Sequence, residues 1–413
     1  MTDTERTTCL VAGGGPAGIV LGLLLARAGI EVTVLEKHAD FLRDFRGDTV
    51  HPSTLDLLDE LGLGEQFAKL PQRKLEQAQV PYANGTLKLA DFTQLSSKHK
   101  HPYITLVPQW DLLDLLAGAA KEEPSFTLRR NTEATGLVVE DGRVTGVEYR
   151  TREGESGRIL ADLTVAADGR TSVLRKAAAL TVRNYPTPLD VWWFRLPRKE
   201  TDPVGGVGVV SQHRAAILLD RGSYWQTATL IKKGSDPEQR RSSVRDMVAS
   251  IAEVAPWLAD RVDSLESWDE VKLLDVRLDR LDRWYRDGLL CIGDAAHAMS
   301  PVGGVGINLA VQDAVAAATL LAEPLRKGTL RTADLAKVQR RRRLPTLAVQ
   351  GMQRFLHARV VGRAVAGDID MVNREKPPLP MRLLQRFPKL RAIPARAIGY
   401  GVRPEHAPEF ARR

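Results

Sequence analysis

Residues 288–308 read GLLCIGDAAHAMSPVGGVGIN. The order of residue types predicts a short apolar strand, Leu289 to Ile292, then Gly293-Asp294. A glycine-rich loop through Pro301, Gly304 and Gly306 follows, and a helix opens at Asn308. Such a junction aims free backbone N–H groups and the positive end of a helix dipole at an anion. Asp294 adds a carboxylate beside that site, suited to accept hydrogen bonds from a polyol or ribityl chain. The other end of the chain carries a second junction of this kind. Cys9 to Ala12 is an apolar run, Gly13, Gly15 and Gly18 form G-x-G-x-x-G, and Pro16 stands where a first helical turn tolerates proline. A second strand, Val32 to Leu35, then delivers Glu36. In a dinucleotide fingerprint Gly13 makes the tight turn, Gly15 lets backbone approach a pyrophosphate, Gly18 lets the helix pack closely, and Glu36 takes ribose hydroxyls.

A third element is AADGRTSVLR, residues 166–175: a strand from Leu163 to Ala167, then Asp168-Gly169, with Ser172 and Arg175 beginning a helix. Together, and in this order, the three elements resemble the flavoprotein monooxygenase family of the p-hydroxybenzoate hydroxylase type. The resemblance covers residues 8 to about 325. It departs from the family at Val305, where many members have glutamine between the last two glycines; backbone donation does not depend on that side chain.

The resemblance implies FAD as prosthetic group, held by Gly13, Gly15, Gly18, Glu36, Asp168, Gly293, Asp294, Pro301, Gly304, Gly306 and Asn308. By the same resemblance Arg46 lies along the FAD or near the nicotinamide nucleotide, against the alternative that it pairs with Asp44 or Asp48, and Gln109 lies near the flavin. It implies NAD(P)H as a visiting co-substrate, since no second complete fingerprint is present; Gly206-Val207-Gly208 runs on into further strand. The chemistry implied is oxygen transfer to an electron-rich ring from a flavin hydroperoxide, with the protein supplying binding, orientation and water exclusion. His51 and His297 flank the glycine loops and are the general-base candidates, against the alternative that each is simply packed.

The elements that must position these residues are discontinuous in sequence. The expected fold is α/β: a Rossmann-like FAD-binding domain (1–72, 104–180 and 273–340), an inserted antiparallel substrate domain (73–103 and 181–272), and a C-terminal helical segment (341–413). Asp141-Gly142 and Arg221-Gly222 read as hairpin turns. VWWFRLPR alternates, placing Trp192, Phe194 and Leu196 on one face and Val191, Trp193 and Arg195 on the other. Trp192, Phe194, Tyr224 and Trp225 are the expected walls of a substrate pocket. With Arg195 on the opposite face, the site is expected to take a large, mostly uncharged aromatic or quinone-like ring. A small carboxylate would need a buried arginine clamp.

Composition bounds the rest. At 413 residues the chain has room for two domains. It contains no run of eighteen apolar residues, and MTDTERTT lacks the apolar core of a signal peptide, so a cytoplasmic enzyme without a membrane span is expected. Cys9 and Cys291 fall in apolar strands and read as core thiols; no metal site is expected. From Leu325 to Arg413 there are 21 Lys plus Arg against 6 Asp plus Glu, so +15 there leaves −7 elsewhere in a chain of net +8. This region includes Arg340 to Arg343 in a predicted helix. Without aromatic interleaving the charge does not read as a nucleic-acid site; a solvated or subunit-facing surface is expected, and peripheral contact with anionic lipid is compatible with it. A monomer and a homodimer both remain open. The alternative functions are a flavin-dependent halogenase, whose W-x-W-x-I-P pattern is broken here by Phe194, a prenyl-chain reductase on the same fold, and a flavin-binding protein without turnover.

Overall fold

Four neighbouring strands of one parallel sheet end at the same height. In the computed structural model, which describes residues 4–42, 49–82, 85–97, 99–210, 215–253, 255–365 and 379–413, strands Leu289–Cys291, Ser156–Ala166, Thr4–Ala12, Val32–Leu35 and Phe126–Arg129 lie side by side in that order, all parallel. Their register sets Cys291, Ala166, Ala12 and Leu35 level with one another. At the level end most of these strands are apolar, as in Cys9–Ala12, Leu163–Ala166 and Leu289–Cys291, because both faces are covered there. Helices Pro16–Arg27, Gln109–Lys121 and Gly306–Arg326 cover one face. The hairpin of Thr132–Glu140 and Arg143–Thr151, with Trp284, covers the other. Its turn is the expected Asp141-Gly142, with φ of 49° and 79°. Cys9 and Cys291 are buried and free, as expected of core thiols, and burial pushes both thiols up.

The inserted sheet has five antiparallel strands in the order Gly206–Val210, Ala215–Asp220, Tyr224–Lys232, Leu189–Pro197 and Lys272–Leu274. Its Arg221-Gly222 turn falls where the sequence put it. Helix Val244–Ala252 presents Val244, Met247, Val248 and Ile251 at helical spacing and lies on one face of this sheet. That helix overturns the expected pocket. Trp192, Phe194 and Trp225 are 0% exposed in the cluster beneath it, so they are the domain's core and not cavity walls. The sheet's other face carries Val191, Trp193, Arg195, Tyr224, Gln226 and Ala228. Val191 and Ala228 pack there with Trp193 and Val361, the last at the end of the long C-terminal helical run.

Helix Thr332–Leu356 crosses the expected boundary at residue 340 without a break. Its N-terminal part buries Leu335 and Val338, but from Arg342 on the inward stripe is mostly polar. Arg342, Thr346, Gln350 and Gln353 are buried there beside Pro345 and His357 continues the stripe, while Leu344, Leu347 and Phe355 face outward. The expectation that the Arg340–Arg343 run is a solvated surface is therefore corrected at Arg342, which is 1% exposed and pairs with Asp313 and Glu405. Among the described residues no helix is long and apolar enough to cross a membrane.

Placing Phe194 in a closed core generates a test. Phe194→Ala is expected to lower unfolding stability by about 3–5 kcal/mol, read as a shift of the urea midpoint. A variant of unchanged midpoint that loses only substrate binding would return Phe194 to the pocket.

Candidate functional site

Because the strand ends are level, the residues that follow them meet. Gly13 has φ +110°, and a β-carbon there would lie 2.4 Å from the Ala167 carbonyl oxygen, so the first motif lies against the chain leading into Asp168. A β-carbon at Gly18 would come within 1.9 Å of the Gly13 carbonyl oxygen, which is the close helix packing the fingerprint requires. Gly293, at φ +58°, would touch Ala17 at 3.3 Å and Ala310 at 3.2 Å, so the late motif abuts the first helix. Gly15 differs: nothing lies within 4 Å of the position its β-carbon would take. It precedes helix Pro16–Arg27, whose N-terminus has no side-chain cap. This open cradle of N–H groups is what a pyrophosphate would fill.

The three carboxylates line this rim. Glu36 follows its strand and accepts the Gly14 N–H and the His38 N–H, each at 3.0 Å, so it also ties the loop together. Asp168 accepts the N–H groups of Val173 and Leu174 at 2.8 and 3.2 Å and so caps helix Val173–Ala177. Its other oxygen is buried and has no partner among the described residues. Burial raises the Asp168 carboxyl, and the hydrogen bonds from Ser172 and the helix N-terminus only partly offset this. Arg175 of the same motif is turned inward onto Asp279, at 3.1 and 3.2 Å. Asp294 is part-exposed, with Arg170 at 3.4 Å.

The glycine loop is anchored from behind. Gly304, at φ +63°, offers its carbonyl to Thr49 Oγ1 and to His51 Nε2, both at 2.9 Å. The helix opens at Gly306, two residues before the expected Asn308. Asn308 Oδ1 is engaged by the hydroxyls of Ser53 and Thr54, each at 2.7 Å. Its side chain thus ties helix Pro52–Glu60 to the loop. Pro301 is part-exposed, and Gln109 is the first residue of its helix, with its side chain part-exposed. Arg46 lies outside the described residues. Both ring nitrogens of buried His51 face carbonyls, those of Gly304 and Ile398. Burial lowers its pKa, and the two carbonyls offset only part of that. His297 is buried against Trp284, with Nε2 2.5 Å from Asp313 Oδ2. Both histidines are buried among protein groups.

Asp313 is the residue that sequence reasoning missed. It is 0% exposed. Its Oδ2 accepts the Gly293 N–H at 3.1 Å, and its Oδ1 accepts Arg342 Nε at 2.9 Å. Burial alone would raise its carboxyl; His297 and Arg342 beside it more than offset that and hold it below the usual range. The signal was present in the sequence: a lone carboxylate in the apolar helix segment AVQDAVAAATLLA requires a buried partner.

Comparison with known proteins agrees with this geometry. Residues 6–350 match the family model of the FAD binding domain. The chain is 35% identical over 409 residues to 6-methylpretetramide 4-monooxygenase of Streptomyces rimosus, covering 97% of this chain and 93% of that one. It is 28% identical to para-nitrophenol 4-monooxygenase of a Pseudomonas species, over 81% and 82% of the two chains. Among solved structures, the anhydrotetracycline hydroxylase of Streptomyces rimosus superposes with a TM-score of 0.74 at 25% identity, over 98% of this chain and 77% of that one.

Two glycines separate packing from binding. Gly18→Ala is expected to cost about 2–3 kcal/mol of stability, since backbone must move. Gly15→Ala should melt like the wild type yet bind FAD at least about tenfold more weakly, or about 1.4 kcal/mol. Flavin fluorescence titration alongside thermal unfolding of the apoproteins checks both. Undiminished FAD affinity in Gly15→Ala would remove the pyrophosphate from this loop.

Proposed function

Because the chain belongs to the flavoprotein monooxygenases of the p-hydroxybenzoate hydroxylase type, we propose that it is a single-component hydroxylase. It takes electrons from NAD(P)H and transfers one atom of dioxygen to a large, electron-rich and mostly uncharged fused-ring phenol. The observation that carries the substrate class is the 35% identity, over nearly the whole of both chains, to an enzyme named for 6-methylpretetramide. The cofactor is FAD, which supplies the activation of dioxygen once reduced. In this reading the backbone from Gly13 to Gly18 holds the pyrophosphate and Glu36 the adenosine ribose. Asp294 takes the ribityl chain, and the loop from Pro301 to Gly306 backs the flavin ring.

The substrate is assigned to the face of the inserted sheet opposite helix Val244–Ala252. That face is joined to the glycine loop by the long helical run. Gln353 Nε2 donates to the carbonyls of Ser300 and Val302 at 2.8 and 2.9 Å, His357 meets the Ser300 hydroxyl at 2.9 Å, and Val361 packs on the sheet. The walls are then Trp193, Arg195, Tyr224 and Gln226. The Trp193 indole N–H and the Gln226 amide nitrogen have no partner among the described residues. Carbonyl and phenol oxygens, which fused-ring polyketones and phenols carry, would pair them. Arg195 is exposed and lies 4.9 Å from the Tyr224 ring centre, so it forms no buried carboxylate clamp. This face carries Arg195, so the reading of a mostly uncharged ring rests on the relative named for 6-methylpretetramide and not on the alternation of the strand.

Isotope labelling tests the reaction. With a hydroxylated fused-ring substrate, oxygen uptake should accompany NAD(P)H oxidation, and the product should carry one atom from labelled dioxygen. New oxygen derived from water, NAD(P)H oxidation without oxygen uptake, or a requirement for halide would each overturn it.

A further inference from the structure

We propose that the C-terminal segment 392–405 belongs to the cofactor-holding apparatus, so that its docking and FAD binding are thermodynamically coupled. This rests on the FAD assignment above and goes beyond it. Three separate contact routes run from this segment to the glycine-loop rim. In the first two, a single proton, that of neutral His51 or of the Ser53 hydroxyl, lies between two acceptors and bonds one of them fully.

The first route runs through His51, which is 0% exposed. The Ile398 carbonyl lies 2.9 Å from Nδ1, and the Gly304 carbonyl 2.9 Å from Nε2. The second runs through Ser53, whose hydroxyl lies 3.2 Å from the Gly399 carbonyl and 2.7 Å from Asn308 Oδ1 at the start of helix Gly306–Arg326. The fit at this point is tight, since a β-carbon on Gly399 would approach Pro52 to 3.0 Å. The third is ionic. Glu405, 3% exposed, pairs with Arg342 at 3.3 Å, and Arg342 pairs with Asp313, which holds the Gly293 N–H. The Glu405 N–H also reaches Gln312 Oε1, one residue from Asp313. The segment itself is seated: Ala395 and Tyr400 are buried against Ala90 and Phe92.

His51, Ser53, Asn308, Asp313 and Arg342 are positioning residues in this scheme. They act on the backbone of Gly293 and Gly304. Coupling of this kind is reciprocal: whatever the docked segment adds to FAD affinity, FAD must add to the docking of the segment. A tail with only a structural role would be slowed by FAD no more than the rest of the chain.

Two measurements test this without recourse to turnover. Amide hydrogen exchange of the full chain, with and without FAD, should show exchange in 395–405 slowed at least about tenfold more than in strands remote from the site, such as the inserted sheet. Glu405→Gln, which leaves buried Arg342 with one carboxylate, and Gly399→Ala, which wedges the segment away from Pro52, should each raise the FAD dissociation constant about tenfold. Their apoproteins should keep wild-type far-ultraviolet circular dichroism. Should the variants fail to fold, exchange in the wild type decides alone. If FAD binds and exchange in 395–405 slows no more than elsewhere, the coupling is wrong. If the wild-type chain takes up no FAD, the site assignment beneath it is wrong.

Discussion

Cys291, Ala166, Ala12 and Leu35 stand level because parallel pairing of their strands fixes the register residue by residue. A slip of one residue in any strand would exchange its two faces and carry the residues beyond its end one position along the rim. The site inherits that precision. Glycines 13 and 293 are separated by most of the chain, yet both flank Ala17 or its neighbours, because each is the first or second residue beyond a strand that can end nowhere else. The backbone closeness of Gly13 to Ala167, and of Gly18 to Gly13, follows from the same alignment. Chemistry at the rim is thus a property of the sheet before it is a property of any loop.

The ionic cluster behind the rim works differently. Asp313, Arg342 and Glu405 are each 3% exposed or less, and removing such charges from water costs several kcal/mol per ion before their attraction repays it. Apolar residues of equal volume could hold these helices together as well. What apolar residues could not do is accept the Gly293 N–H or direct a backbone turn. The cluster fixes geometry at some expense in stability, and it stands where a backbone angle matters most.

Much of this was legible in the sequence, and the limits have physical causes. The three motifs, their strands and their order were readable because glycine and proline have few conformational uses, and because buried parallel strands are mostly apolar. The alternation of Trp192 to Pro197 was readable too, but alternation divides a strand into two faces without saying which is covered. The deciding fact was tertiary: Val244, Met247, Val248 and Ile251 lie on Trp192 and Phe194. The run Arg340–Arg343 misled because charge density is ordinarily a solvent signal. Only one of its four members is buried, and its carboxylates come from a helix before it and a tail after it. Asn308 was read as a helix start and cofactor residue, while its side chain proved to be committed to Ser53 and Thr54.

The mostly polar inward stripe of helix Thr332–Leu356 has a consequence for how the two sheets are indexed to each other. An apolar stripe slides over its neighbour with little penalty, since the dispersion energy given up at one position is regained at the next. Directional bonds have no such continuity. Along this rod Gln339 bonds the Trp284 N–H, Arg342 bonds Asp313, Gln350 bonds the Asp279 carbonyl, and Gln353 bonds Ser300, with Val361 then touching the inserted sheet. A shift of a single residue, about 1.5 Å and 100°, would break every one of them together. The rod therefore behaves as a keyed shaft: it admits one setting, and the distance between the rim that holds the cofactor and the sheet that faces it is read off that setting, not left to the softness of a hydrophobic contact.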